Sequence, residues 1–139
     1  MSLYLLDTDH VSLYQMGHPR VLQHITVHIQ DQLAITAVTV EEQLSGWQRA
    51  LRQARDDSRR AEVYRRMALA IEHLSGWSVF PFPLSAMTRH ADLLRQRLNV
   101  SSNDLKIAAI ALEMSATVVT RNARDFGRVA GLVYEDWSV

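Results

Sequence analysis

Apolar residues recur along the chain in short blocks whose spacing alternates between the period of a strand and the period of a helix. Leu3 to Leu6 is an apolar run that ends abruptly at Asp7, which predicts a buried strand. Helical spacing follows from Thr8 to Gln15 and stops near Gly17 and Pro19, after which Val21, Leu22, Ile25 and Ile29 recur at roughly helical intervals. Leu33 to Thr36 predicts a second short strand. Thr39 then opens a helix with Val40, Leu44, Trp47 and Leu51 on one face. Asp56 and Asp57 break it. A second long helix follows, with Val63, Met67, Ile71 and Leu74 on its apolar side and Gly76 as its stop.

The C-terminal half repeats the alternation. Val79 to Phe82 is extended, and Pro81 suits the edge of a sheet rather than its centre. Ser85 to Leu98 is helical and Val100 to Asn103 is a loop. Asp104 to Met114 is an alanine-rich apolar helix with few polar positions, so it belongs deep in the fold. Thr117 to Thr120 reads as a strand, Arg121 to Arg128 as a loop or short helix, and Leu132 to Tyr134 as a last strand. Strands alternating with helices predict a single α/β domain, residues 1–139, with a parallel sheet covered on both faces. Ligands of such sheets bind beyond the carboxyl ends of the strands, near the point where strand order reverses.

Composition narrows the class without naming a function. At 47% hydrophobic and 22% charged, the chain can bury one core. After Met1 and Ser2 the first strand begins at once, and no apolar stretch approaches the ~20 residues of a membrane span. A cytoplasmic protein with no membrane contact is expected. The absence of cysteine excludes disulfides and thiolate metal sites. Net charge is zero, which argues mildly against a nucleic-acid partner. The distribution qualifies that: from Arg49 to Arg66 seven arginines face only Asp56, Asp57 and Glu62. They are candidates for phosphate or partner contacts, against the more ordinary reading of a solvated helix face laced with ion pairs.

Four acids fall where a parallel sheet places its ligands. Asp7 follows the first strand, Glu42 lies in the first turn after the second, Asp104 opens the alanine-rich helix, and Asp125 lies five residues beyond Thr120. Each has an ordinary explanation. Asp7 can cap the helix that follows it, Asp9 can be a first-turn acid, Glu42 can close a capping box with Thr39, and Asp104 can cap from Ser101. Asp125 alone reads as a surface acid among Arg121, Arg124 and Arg128. The functional reading comes from convergence, since carboxylates gathered at one sheet edge repel and call for a cation. With oxygen ligands only, that cation is a hard one, Mg²⁺ or Mn²⁺.

The remaining chemistry is sparse. His24 and His28 stand four apart with no third ligand, so they are read as polar residues facing solvent, and His10 beside the acids is weighed as a substrate contact. Trp47, Trp77 and Trp137 are read as core or interface anchors rather than base-stacking platforms. No dinucleotide fingerprint, phosphate loop or nucleophile elbow is present.

Four segments together resemble a known family. Leu5-Leu-Asp7-Thr-Asp9-His resembles the opening motif of PIN domains of the VapC type. Ile35 to Gly46 resembles their second motif, whose glutamate precedes a glycine by four residues and so selects Glu42 over Glu41. Asn103 to Leu112 is similar to the third, and Val119 to Phe126 with Glu135-Asp-Trp137 is similar to the family's ending. The resemblance covers essentially the whole chain. It implies a three-layer α/β/α sandwich and a single-strand-directed ribonuclease dependent on Mg²⁺ or Mn²⁺. It further implies a homodimer held in check by a VapB-like antitoxin. Asp7, Glu42 and Asp104 carry over as metal ligands, with Asp125 as a fourth catalytic acid. Two departures stand out. Asp9 occupies a place where asparagine or serine is commoner, and the usual fourth acid falls at Asn122, one turn before Asp125.

The implied reaction is attack of water on an RNA phosphodiester, leaving 5′-phosphate and 3′-hydroxyl ends. Two rivals remain. One is a fold of the same type that binds RNA or protein without cutting. The other is a phosphatase of the haloacid-dehalogenase type, with Asp7 and Asp9 as nucleophile and acid. That chemistry needs a lysine, and the only one is Lys106, within the apolar helix.

Overall fold

Side-chain alternation along three strands explains the layered architecture of the protein, which a computed structural model describes over residues 2–139. In β1 (Leu3–Leu6), Leu5 enters one core while Tyr4 and Leu6 enter another; β2 (Gln32–Thr36) divides Ala34 from Ile35, and β4 (Thr117–Val119) divides Val118 from Val119 in the same way. A strand buried on both sides needs helices on both sides. The strands form one parallel sheet in the order β3-β2-β1-β4-β5, with β3 (Ser78–Phe80) and β5 (Val133–Glu135) at the edges. The result is the three-layer α/β/α sandwich predicted.

One face is covered by α5 (Leu84–Arg95) and α6 (Ser102–Met114), the other by α1 (Thr8–Gln15), α2 (Pro19–Val27) and the end of α4 (Asp57–Leu74). Helix α6 is buried nearly all round, with Leu105 and Ile107 to Ala111 each almost wholly removed from solvent. Its alanines let the backbone lie close to the sheet, and each large buried side chain such as Ile107 contributes about 1.5–3 kcal/mol. Ser115, in the left-handed region at φ 53°, closes the helix while the Ala116 N–H donates to the Ala111 carbonyl at 2.9 Å.

Several boundaries differ from the sequence reading. Helix α3 (Ala37–Gln53) starts at Ala37, two residues before the expected Thr39, because Thr36 is the cap: its hydroxyl accepts the Thr39 N–H at 3.3 Å. The stripe of Val40, Leu44, Trp47 and Leu51 is only partly covered, since the distal part of α3 packs against α4 rather than the sheet, and Leu44 stays exposed. Ile71 and Ile29 are also exposed, and Ile29 lies beyond the end of α2. Helix α6 begins at Ser102, so Asp104 is its third residue rather than its first. The short helix expected after the fourth strand is α7 (Ala123–Phe126), and the last strand is displaced by one residue. Among the described residues no helix is long and apolar enough to cross a membrane.

Strand order reverses between β1, the central strand, and its neighbour β4. Their carboxyl ends frame the place where a ligand is expected.

Candidate functional site

Asp7 leaves β1 at that reversal, held by its backbone N–H, which donates to the Val119 carbonyl of β4 at 3.0 Å. Its backbone is extended, so it is the cap residue of α1, and Oδ1 accepts the His10 N–H at 3.0 Å. The capping role proposed from sequence is real. It uses one oxygen only, and among the described residues no hydrogen bond engages Oδ2.

Asp7, Thr8, Asp9, Glu42, Asp104 and Ile107 line a hollow of about 120 Å³ at this end of the sheet. Glu42 reaches it from the second turn of α3. It does not close a box with Thr39; instead Oε1 accepts the Thr8 hydroxyl at 3.0 Å, and the nearby Asn103 side chain favours its ionised form. Burial pushes its carboxyl above the usual glutamate range, and the charges of Asp104 and Asp7 push it further. Asp104 enters from the first turn of α6, its N–H capped by the Ser101 hydroxyl at 3.2 Å. Its carboxyl is raised too, by burial first and then by the charges of Asp7 and Asp125. No arginine or lysine pairs with Asp7, Asp9, Glu42 or Asp104 among the described residues.

Asp125 stands one hydrogen bond behind the hollow. The Asn122 amide donates to Asp125 Oδ2 at 2.8 Å and to Asp104 Oδ2 at 3.3 Å, while Arg128 approaches Asp125 Oδ1 at 3.3 Å. The amide nitrogen must face both carboxylates, since the opposite orientation would set its oxygen against two anions. Asn122 thus links Asp125 to Asp104.

The donor set suits a hard divalent cation. As they stand, no three acidic or histidine side chains among the described residues converge tightly enough to chelate one ion directly. Mg²⁺ tolerates this, because it retains several waters and needs only one or two carboxylates. Larger hollows lie elsewhere, two of them prominent. One of about 290 Å³ is apolar and sits between β3 and α6, and one of about 440 Å³ is lined from α1, α3 and α4. Neither gathers carboxylates.

Other candidates are placed as follows. His10 is fully buried behind Asp7, which removes it as a substrate contact. His24 and His28 do not simply face solvent: both lie half-buried and stacked on Trp137, at 5.5 and 4.7 Å between ring centroids. Trp137 is a core residue, while Trp47 is half-buried under the Arg66 guanidinium at 5.6 Å. Arg59, Arg60 and Arg65 pair along α4 with Asp56, Asp57 and Glu62, the ion-paired face foreseen as the ordinary reading. Lys106 does not line the hollow; its charge bears on His90 of α5, which leaves the phosphatase reading without its lysine. Thr8 and Asn103 were missed, although each sits beside a singled-out acid in the sequence.

Comparison with known proteins bears on the assignment. The PIN domain model matches residues 4–132. The tRNA(fMet)-specific endonuclease VapC of Shigella flexneri is 28% identical over 142 residues, covering 99% of this chain and all of the relative. Ribonuclease VapC1 of Haemophilus influenzae (strain R2866) is 24% identical over 143 residues, 98% of each chain. In fold, the chain superposes on DNA-bound VapBC from Salmonella typhimurium with a TM-score of 0.78, at 22% identity and covering 99% of both chains.

Proposed function

The chain belongs to the PIN domain family, and on that premise we propose that it is a divalent-metal-dependent endoribonuclease acting on single-stranded RNA, the toxin of a VapBC-type pair. The observation that carries the reading is the hollow itself: Asp7, Glu42 and Asp104, brought from three distant segments, line one space in which the latter two carboxyls are raised and, among the described residues, no arginine or lysine pairs with them. VapC ribonucleases of comparable length align along essentially the whole chain.

Asp7 through its free Oδ2, Glu42 and Asp104 would hold Mg²⁺ or Mn²⁺. A cation of this kind supplies polarisation of a phosphoryl oxygen and a lowered pKa for bound water. The chain's own residues supply placement. The Thr8 hydroxyl holds Glu42, the Asn122 amide holds Asp104, and the α1 cap holds one oxygen of Asp7. Asp9, exposed at the rim, is left to meet incoming groups or solvent. The phosphodiester is broken by addition of one water, with the 3′ oxygen leaving as a hydroxyl and the phosphate staying on the 5′ side.

A VapB-like antitoxin has a surface to bind. The 440 Å³ hollow on α1, α3 and α4 joins Trp47, Leu69 and Ala70 to Arg65 and Arg66, an apolar floor with a basic rim. It suits a partner segment with apolar anchors and acids. A homodimer is proposed at the opposite side, where Val79 of β3 and Leu84, Met87 and Leu94 of α5 are exposed.

The test is cleavage of an unstructured RNA with added Mg²⁺, with excess chelator, and with Asp104→Asn. Loss of cleavage in the last two, with the variant still folded, is expected. Undiminished cleavage in either would overturn the reading, and stable RNA binding without cleavage by the native chain would favour a non-cutting module.

A further inference from the structure

One fully buried polar side chain has no part in the mechanism above. His10 lies in the first turn of α1, and both of its ring nitrogens are engaged. Nε2 is 3.2 Å from the backbone N–H of Trp137, a group that can only donate, so Nε2 accepts and Nδ1 carries the proton. Nδ1 then donates to Oδ1 of Asp7 at 3.3 Å, the same oxygen that accepts the His10 backbone N–H. A half-turn of the ring would set carbon atoms at both places, so the contacts fix its orientation. Asp136 lies 3.5 Å from Nε2, but its Oδ1 already accepts the N–H of Ser138 at 2.8 Å and the Ser138 hydroxyl.

The far end of this chain of contacts is closely packed. Trp137 is wholly buried, with His24 and His28 lying within 7° and 3° of its plane and Tyr4 against it at 5.2 Å. Its indole N–H donates to Glu135 at 3.0 Å.

We propose that His10 is a positioning residue for Asp7, fastening one carboxylate oxygen to the buried Trp137 segment so that the other faces the hollow at a fixed angle. A single N–H cap leaves the carboxylate free to turn about its last bond, whereas a second donor on the same oxygen fixes its plane. Partners of this kind, one shell behind a ligand, change metal affinity by roughly ten- to a hundredfold. The inference rests on the reading of the hollow as a metal site.

The experiment is calorimetric titration of Mn²⁺ into the full chain and into His10→Asn and His10→Gln. Asparagine places an amide N–H near the Nδ1 position and can still donate to Asp7. Glutamine reaches the Nε2 position, keeping a partner for Trp137 and losing the donor to Asp7. His10→Gln is expected to bind Mn²⁺ roughly ten- to a hundredfold more weakly, with His10→Asn close to the native chain and both variants melting alike. Equal affinities in all three, or equal losses in both variants, would overturn the proposal while leaving the metal site intact. No Mn²⁺ binding by the native chain would remove the metal-site reading and this inference with it. Should neither variant fold, long-range ¹H–¹⁵N correlation on the native protein decides: a protonated Nδ1 is expected for His10, and a protonated Nε2 with a bare Nδ1 would refute it.

Discussion

Replacing Glu42 with glutamine removes one charge from the hollow while keeping its shape and an oxygen for the Thr8 hydroxyl, which now donates at 3.0 Å. Glu42 feels both Asp104 and Asp7 across a space of about 120 Å³. At a separation of roughly 8 Å, each like-charged pair repels by ~0.5 kcal/mol in water and ~1 kcal/mol at half that dielectric constant. With two such neighbours and partial screening, the variant should gain on the order of 1 kcal/mol in the absence of metal. That corresponds to a rise of about 2–5 °C in melting temperature for a domain of this size. Metal has the opposite consequence. A ligand present at a hundred times its dissociation constant stabilises by about 2.7 kcal/mol, and a variant lacking one of three anionic ligands should lose much of that increment. Thermal unfolding in chelator and in Mn²⁺ reads both effects on one sample. The expected pattern is a higher melting point than native without metal and a smaller rise with it. A lower melting point in chelator would mean that Glu42 is mainly a structural hydrogen-bond partner. An unchanged metal increment would mean that it is no ligand.

Three further outcomes follow from the same geometry. Because the Glu42 carboxyl is raised on folding, the folded chain binds its proton more tightly, so the ionised group costs stability as pH rises through the raised value. The stability advantage of Glu42→Gln in chelator should therefore shrink as pH falls from neutrality towards the ordinary carboxylate range, and a pH series of denaturant melts would show a gap independent of pH if this is wrong. Asn122→Asp replaces the amide that donates to Asp104 and Asp125 with a further anion; it should cost about 1–3 kcal/mol in chelator and be rescued in part by Mn²⁺, whereas a metal-independent loss would contradict its place beside the site. Trp137→Ala empties a fully buried, stacked position and should cost about 3–5 kcal/mol in urea unfolding; a loss below about 1 kcal/mol would contradict its role as the anchor of the C-terminal segment.

Much of the fold was legible because strand ends carry sharp signals. The step from Leu6 to Asp7 marks both the end of β1 and the cap of α1, and Asp56 marks the start of α4 in the same way. The alanine-rich segment announced its burial in α6 through the lack of polar positions. The α3 stripe misled because helical periodicity records that a face is apolar, not what covers it; here the cover is a second helix projecting with it, and Leu44 stays open. Thr36 and Thr39 are both good caps, and the choice fell to Thr36, where the strand ends. That shift placed Glu42 in the second turn, within reach of Thr8 across a sequence separation of 34 residues. Contacts of that kind leave no local trace. His10 illustrates the same limit, since its ring is explained only by Trp137, 127 residues away.

The most direct test of the account is anomalous diffraction from crystals of the native chain grown with Mn²⁺. The expected result is a manganese peak within coordination distance of Asp7 Oδ2 and of at least one of Glu42 and Asp104. A well-ordered structure at saturating Mn²⁺ with no peak in that hollow, or with the ion lodged elsewhere, would contradict it.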